Sequence, residues 1–341
     1  MISSVVAVSF VVMEGSFGSG GWVRLQGGRA ASRTAGRPQG AHPAYRVREP
    51  GRAHVWRPAA PLIPRFRVDS SFSWTPGGSM PRMFSDDHIA DLNARFETAE
   101  PSEILRWALC DAGLERVAIA SAFQSEGTAV IHMATQIRPD VPIMFLETGF
   151  HFAETLAFKE RLTEQFNLNV VELVGDYTVE EQAGKFGPRL YESNPKLCCN
   201  LNKVIPFDRA ISQLDGWITS MRRDSAWTRK ETPILLHYEC IQDHWITKVN
   251  PMANLTRKQV FDYLRENSIP RHPLYELGYA SIGCAPCTRM VFPGEDERAG
   301  RWSGTGKVEC GIHANEAARE QVDPVAVDAE PIILEPLPTS T

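Results

Sequence analysis

The sequence predicts an α/β protein built on a mostly parallel sheet flanked by helices. Short apolar runs alternate with helix-patterned stretches between residues 85 and 267, which implies crossover connections and hence parallel pairing. The 341 residues are 43% apolar and 23% charged, enough to bury a sizeable core without disulfide staples. No stretch of 18 apolar residues occurs, which excludes an ordinary membrane-spanning helix. A net charge of −5 gives no bulk basic footprint for nucleic acid.

The elements follow in order. Ser85, with Asp86 and Asp87 behind it, is an N-cap with first-turn acids, opening a helix through Ile89, Leu92 and Phe96. A second helix is expected over 102–112, before Gly113. Strands are expected at 117–120, 142–146 and 170–174, separated by helices at 128–137 and 152–166. Residues 200–210 read as a helix, 217–219 and 235–238 as further strands, and 256–267 as another helix.

Outside this pattern the composition changes. Residues 1–83 hold eleven Arg, no Lys and three acids, with abundant Gly and Pro and no persistent period. Such a stretch buries too little apolar surface to offset its ordering entropy, so a disordered extension is expected ahead of a domain at 84–313. It reads as translated sequence upstream of a start at Met80 or Met83, as a tail, or as a targeting segment. Residues 314–341 read as an acidic flexible tail.

In a parallel sheet, ligands bind beyond the carboxyl ends of the strands. Two such ends stand out. Residues 121–128 form a Ser/Gly-containing turn into a helix, suited to an anion but lacking the Gly-Lys-Ser/Thr of a P-loop. Leu146 leads into Glu147-Thr148-Gly149, a strand that stops at a carboxylate and a glycine.

The cysteines are the stronger signal. Cys198-Cys199 and the Cys284-x-x-Cys287 pair supply four thiolates, as a tetrahedral zinc or an iron–sulfur cluster requires. Seven cysteines in this arrangement point to metal or catalytic thiols in a reducing compartment. Cys110 and Cys240 read as core packing, whereas Cys310 follows a Gly-rich stretch and is expected on a mobile surface loop.

The double cysteine, the run Ser281-Ile282-Gly283-Cys284 to Cys287-Thr288-Arg289, the segment Arg298-Ala299-Gly300-Arg301-Trp302 and the closing Glu309-Cys310-Gly311-Ile312-His313 together resemble the assimilatory adenylylsulfate (APS) reductase family. The likeness spans about residues 85–313 and includes Trp217-Ile218-Thr219 followed by Arg222-Arg223. It implies an adenine-nucleotide α-hydrolase-like fold and a [4Fe–4S] cluster on Cys198, Cys199, Cys284 and Cys287. It further implies thioredoxin-dependent reduction of APS to sulfite and AMP through an S-sulfo adduct on Cys310, in sulfate assimilation, with a cytoplasmic location. Relatives acting on the 3′-phosphorylated substrate (PAPS) typically lack the paired cysteines, so APS is favoured. Asn200 and Asn202 depart from the arginines common after the double cysteine, and Glu147 from the usual Asp.

Within that resemblance, Ser121, Phe123, Glu126 and Leu146 are candidates for contacting the substrate, with Lys203, Arg222, Arg223, Arg298 and Arg301 for its anionic groups. Lys203 follows Cys199 by one helical turn and so shares a face with the cysteines. A separate thioredoxin is the expected partner, and a homo-oligomer is compatible with the sequence. The alternatives are a PAPS reductase, a tRNA-thiolating ATP pyrophosphatase, which would need a basic RNA surface, and a structural zinc module, which would leave Cys310 without a role.

Overall fold

The computed structural model describes residues 82–313 apart from 241–243, 306 and 308. The expectations for the N-terminal extension and the acidic tail lie outside the described residues.

Chain order is α1 (Asp86–Phe96), α2 (Pro101–Arg106), β1 (Val117–Ala120), α3 (Ser125–Thr135), β2 (Ile143–Glu147), α4 (Ala153–Phe166) and β3 (Val170–Val174). Then come α5 (Val179–Phe186), α6 (Leu190–Ser193), α7 (Pro195–Cys199), α8 (Ile205–Ile211), β4 (Gly216–Ile218), β5 (Leu235–Glu239), β6 (Trp245–Val249) and α9 (Arg257–Glu266). The six strands form one sheet in the order β3-β2-β1-β4-β6-β5. All neighbours run parallel except β5, which is antiparallel to β6.

Period-2 alternation builds two cores, one on each face. Val117, Ile119, Ile143, Phe145, Ile218 and Val249 point to the side packed by α1, α2, α3, α4 and α9. Ala118, Met144, Trp217 and Ile246 point to the other, where Phe207 and Ile211 of α8 meet Cys199, Trp302, Cys310 and Ile312. Cys199, Cys240 and Cys310 therefore share this second core, with Cys287 packed against it.

Local chemistry sets several boundaries. Ser85 Oγ accepts from the His88 N–H at 3.2 Å, capping α1 as expected. Reciprocal capping boxes open α5 (Thr178 with Glu181) and α9 (Thr256 with Gln259). The second expected helix is α2 followed by a π turn over Trp107–Asp111, and the one expected over 200–210 starts with a π turn over Asn200–Val204. Cys110 is exposed, not core. It falls on the same stripe as Glu103 and Arg106, which face solvent. β6 was not legible as a strand, because Thr247 and Lys248 interrupt its apolar run although both are buried. No helix among the described residues is long and apolar enough to cross a membrane.

This topology positions the site. From β1 the chain winds outward through β2 to β3, then returns so that β4 lies on the other side of β1. The β1/β4 boundary is thus a topological switch point, where diverging loops leave a crevice.

Candidate active site

A pocket opens at that boundary, lined from the ends of β1, β2 and β4 by Ser121, Gln124, Leu146, Thr219 and Met221. The floor of the β1 loop is tight. Ser121 Oγ accepts from the Phe123 N–H at 3.0 Å, and a Cβ on Gly127 would stand 2.4 Å from that oxygen, so only glycine lets α3 approach. Phe123 adopts φ of 53° and turns its ring into the core against Phe145, with centroids 5.8 Å apart. It does not line the pocket. Its role is to anchor the loop, a correction to its reading as a substrate contact.

The two arginines after β4 diverge. Arg222 is wholly buried and reaches the pocket, but three carboxylates take its guanidinium. Its Nε donates to Glu126 at 3.0 Å, Nη2 to both oxygens of Glu297 at 2.9 and 3.0 Å, and Nη1 to Asp224. Arg222 and Glu126 therefore line the site within an ion cluster in which three carboxylates already meet the guanidinium charge. Arg223 leaves the site altogether, donating to the Thr232 carbonyl at 2.7 Å and to Glu97 at 2.6 and 3.1 Å. Its expected substrate contact is corrected accordingly.

On the opposite wall lie Arg298, Arg301, Lys203, Glu309, Cys310 and His313. Cys310 is buried, at 8% exposure, against the apolar face that holds Trp217 and Tyr238. The mobile surface loop expected for it is replaced by a packed segment, because Glu309 is clamped. Arg229 Nε and Nη2 donate to the two Glu309 oxygens at 2.8 and 2.9 Å, and Arg298 Nη2 adds a third bond at 2.7 Å. The Cys310 N–H completes the set, donating to Glu309 Oε1 at 3.0 Å. Burial alone would raise the Glu309 pKa, yet the Arg229 hydrogen bond and the charges of Arg229 and Arg298 hold it down at about 2.

The remaining cations are short of acceptors. Arg301 Nη1 donates only to neutral oxygens, Ser281 Oγ at 3.1 Å and the Ile282 carbonyl at 3.2 Å. The Nε–H groups of Arg298 and Arg301 are buried without a hydrogen-bond partner, as is Nδ1 of His313, whose ring burial and the neighbouring cations keep neutral. Lys203 makes no ion pair among the described residues; burial disfavours its charge, but Cys284, Cys310 and Cys199 raise its pKa overall. Buried donors left unpaired are costly. Several in one pocket point to an anionic ligand.

Beside this wall, Cys198, Cys199, Cys284 and Cys287 line a second, small cavity together with Lys203 and Trp302. Asn194 caps α7 through the Leu197 N–H at 3.0 Å, presenting Cys198 and Cys199 from its last turn. Cys284 and Cys287 flank a 3₁₀ turn fixed by the Ala285 N–H to the Phe150 carbonyl (2.7 Å) and the Trp302 N–H to the Cys287 carbonyl (2.9 Å). Thr148 Oγ1 lies 3.3 Å from Cys284 Sγ, and Asn202 Nδ2 lies 3.6 Å from Cys198 Sγ. Burial, then the neighbouring sulfurs, pushes the Cys198 thiol up to about 12 and Cys287 up to about 11. A cationic metal group would reverse that effect. Among the described residues, no three His, Cys, Asp or Glu side chains converge as a single metal ion requires. Three buried thiols and the half-buried Cys287 line one cavity, a four-thiolate donor set of the kind that zinc or an iron–sulfur cluster takes.

Arg229, Glu297, Thr148 and His313 escaped the sequence reading as site residues. For Arg229 no local signal existed, since its partner lies 80 residues away. His313 ends a motif already singled out, and its ring stacks on Trp217 with centroids 5.8 Å apart.

Comparison with known proteins places the chain among relatives. The family model described as "Phosphoadenosine phosphosulfate reductase domain" matches residues 116–290. The chain is 40% identical over 217 residues to an adenosine 5′-phosphosulfate reductase of Streptomyces coelicolor, covering 64% of this chain and 89% of the relative. A protein of the same description from Halalkalibacterium halodurans is 37% identical over 66% of this chain and 96% of its own length. Among solved structures, a phosphoadenylyl-sulfate reductase of Candida auris in complex with phosphate superposes with a TM-score of 0.53 at 29% identity, over 63% of this chain and all of that one.

Proposed function

Because this chain belongs to the phosphoadenosine phosphosulfate reductase domain family, we propose that it reduces adenosine 5′-phosphosulfate to sulfite and AMP, with Cys310 as the nucleophile and thioredoxin as the reductant. One observation carries the reading: Cys310 shares a switch-point pocket with Lys203, Arg298 and Arg301, whose charges lack sufficient acceptors. Preference for APS over PAPS is supported by the four paired cysteines and by the relatives at 36–40% identity, which are described as adenosine 5′-phosphosulfate reductases.

The reaction needs three displacements. The Cys310 thiolate attacks the sulfur of APS, a bond forms from Sγ to that sulfur, and its bond to the phosphate oxygen breaks. AMP departs with the electron pair, and the charge growing on its phosphate is met by Arg298 and Arg301. A thioredoxin thiolate then attacks Cys310 Sγ, and sulfite leaves with the sulfur–sulfur bonding pair. The second thioredoxin thiol resolves the mixed disulfide and returns Cys310 as a thiolate; two electrons pass from dithiol to sulfate sulfur.

Cys198, Cys199, Cys284 and Cys287 would hold a [4Fe–4S] cluster, which, when bound, supplies a charged group beside the substrate pocket. Lys203 lines both cavities and couples the cysteine side to the anion side. The test is intact mass spectrometry after mixing the protein with APS and no thioredoxin. One SO₃ group mapping to the Glu309-Cys310-Gly311 peptide is expected, with none in Cys310→Ser. An adduct elsewhere, or kcat/KM higher for PAPS than APS, contradicts the assignment.

A further inference from the structure

The clamp on Glu309 has an electrostatic oddity. The pocket gathers Lys203, Arg229, Arg298 and Arg301, and the one carboxylate bound among them comes from the residue beside the nucleophile. Its two oxygens receive three guanidinium hydrogens and one backbone N–H, all within 2.7–3.0 Å. A tetrahedral oxyanion is bound by such a donor set. Glu126 and Glu297, which also face the pocket, are already engaged by Arg222 and do not compete.

We propose that the Glu309 carboxylate is an internal stand-in for the substrate's sulfate, a latch that an incoming oxyanion displaces. In the free protein it occupies Arg229 and Arg298 and thereby keeps Cys310 at 8% exposure. An oxyanion that takes over these two guanidinium groups removes the charged anchor of the segment Glu309–His313. What then remains is weaker: the His313–Trp217 stack, buried Ile312, and a 3.5 Å contact from the Tyr238 hydroxyl to the Ile312 carbonyl. The nucleophile is thus guarded until an anion arrives and is released for attack and for later encounter with a bulky reductant. The low pKa of Glu309 keeps the latch charged throughout the physiological range.

This inference rests on the anion-binding reading of the pocket, and two readouts separate them. Calorimetry with sodium sulfate, against sodium chloride at equal ionic strength, reports whether the pocket binds an oxyanion. Iodoacetamide labelling of Cys310, quantified on its own peptide, reports the latch. Sulfate should speed Cys310 labelling in the parent chain. Glu309→Gln should label at the fast rate without sulfate and bind sulfate about tenfold tighter, the worth of one charge-assisted hydrogen bond. Arg229→Gln should also label fast without sulfate, and further addition should change little. If sulfate binds yet leaves labelling unchanged or slows it, or if Glu309→Gln binds it no tighter, the latch is overturned while the anion pocket stands. If sulfate binds neither parent nor Glu309→Gln, both fail.

Discussion

Gly283 offers a sharp test of the role given to Arg301, because the three atoms nearest to a methyl there all belong to the guanidinium. A Cβ at this position would lie 2.3 Å from Arg301 Nη2, 2.6 Å from Cζ and 3.0 Å from Nε. Ordinary contact requires roughly 3.4 Å or more, so the guanidinium must retreat by about 1 Å. Gly283 does not have a positive φ, and alanine is therefore tolerated by the backbone. Retreat weakens the bonds from Arg301 Nη1 to Ser281 Oγ and the Ile282 carbonyl, a cost of about 1–3 kcal/mol in stability. The larger effect falls on catalysis. A misplacement of about 1 Å in a group that orients the reacting anion costs on the order of 100-fold, or about 2.7 kcal/mol of transition-state stabilisation. Gly283→Ala should therefore lower kcat/KM for APS about 100-fold while the protein stays folded. Sulfite release is the assay, with iron content and a thermal melt as controls because Cys284 is adjacent. Activity within about threefold of the parent, at equal iron content, would refute the placement of Arg301 on the reacting anion.

Three further outcomes are expected. Replacing any one of Cys198, Cys199, Cys284 or Cys287 by Ser should lower bound iron and activity together, and retention of full iron in every variant would remove the cluster assignment. Arg222→Ala strands Glu126 and Glu297 at 15% and 18% side-chain exposure, so urea unfolding should show a loss of about 3–5 kcal/mol; a loss under about 1 kcal/mol would mean the cluster contributes no cohesion. His272 is 1% exposed, and its Nδ1 accepts from the Leu274 N–H at 3.2 Å while Nε2 meets Thr155 Oγ1 at 3.0 Å. Burial first of all lowers its pKa to about 4, so the unfolded chain takes up the proton first as pH falls. Stability should thus be fully present above about pH 6.5 and decline by up to about 3 kcal/mol toward pH 4, and His272→Gln should flatten that slope; coincident slopes would rule it out.

The sequence by itself determined strands β1, β2 and β4, the two cysteine pairs and the segment Glu309–His313. Val117-Ala118-Ile119 and Ile143-Met144-Phe145 send alternate residues into two different cores, which requires both faces covered and produces the apolar runs from which strands are read. Paired cysteines are legible for a similar reason, since their chemistry demands a short spacing along the chain. What the arginines do was decided only by tertiary structure. Arg222 and Arg223 are neighbours in sequence, yet one closes on Glu297, 75 residues on, and the other on Glu97, 126 residues back. Cys310 likewise looked exposed, because a Gly-rich stretch precedes it, and is buried because Arg229, 80 residues away, holds Glu309. A long flexible guanidinium takes its function from whichever carboxylate the fold brings within reach, and that distance is not written in local sequence.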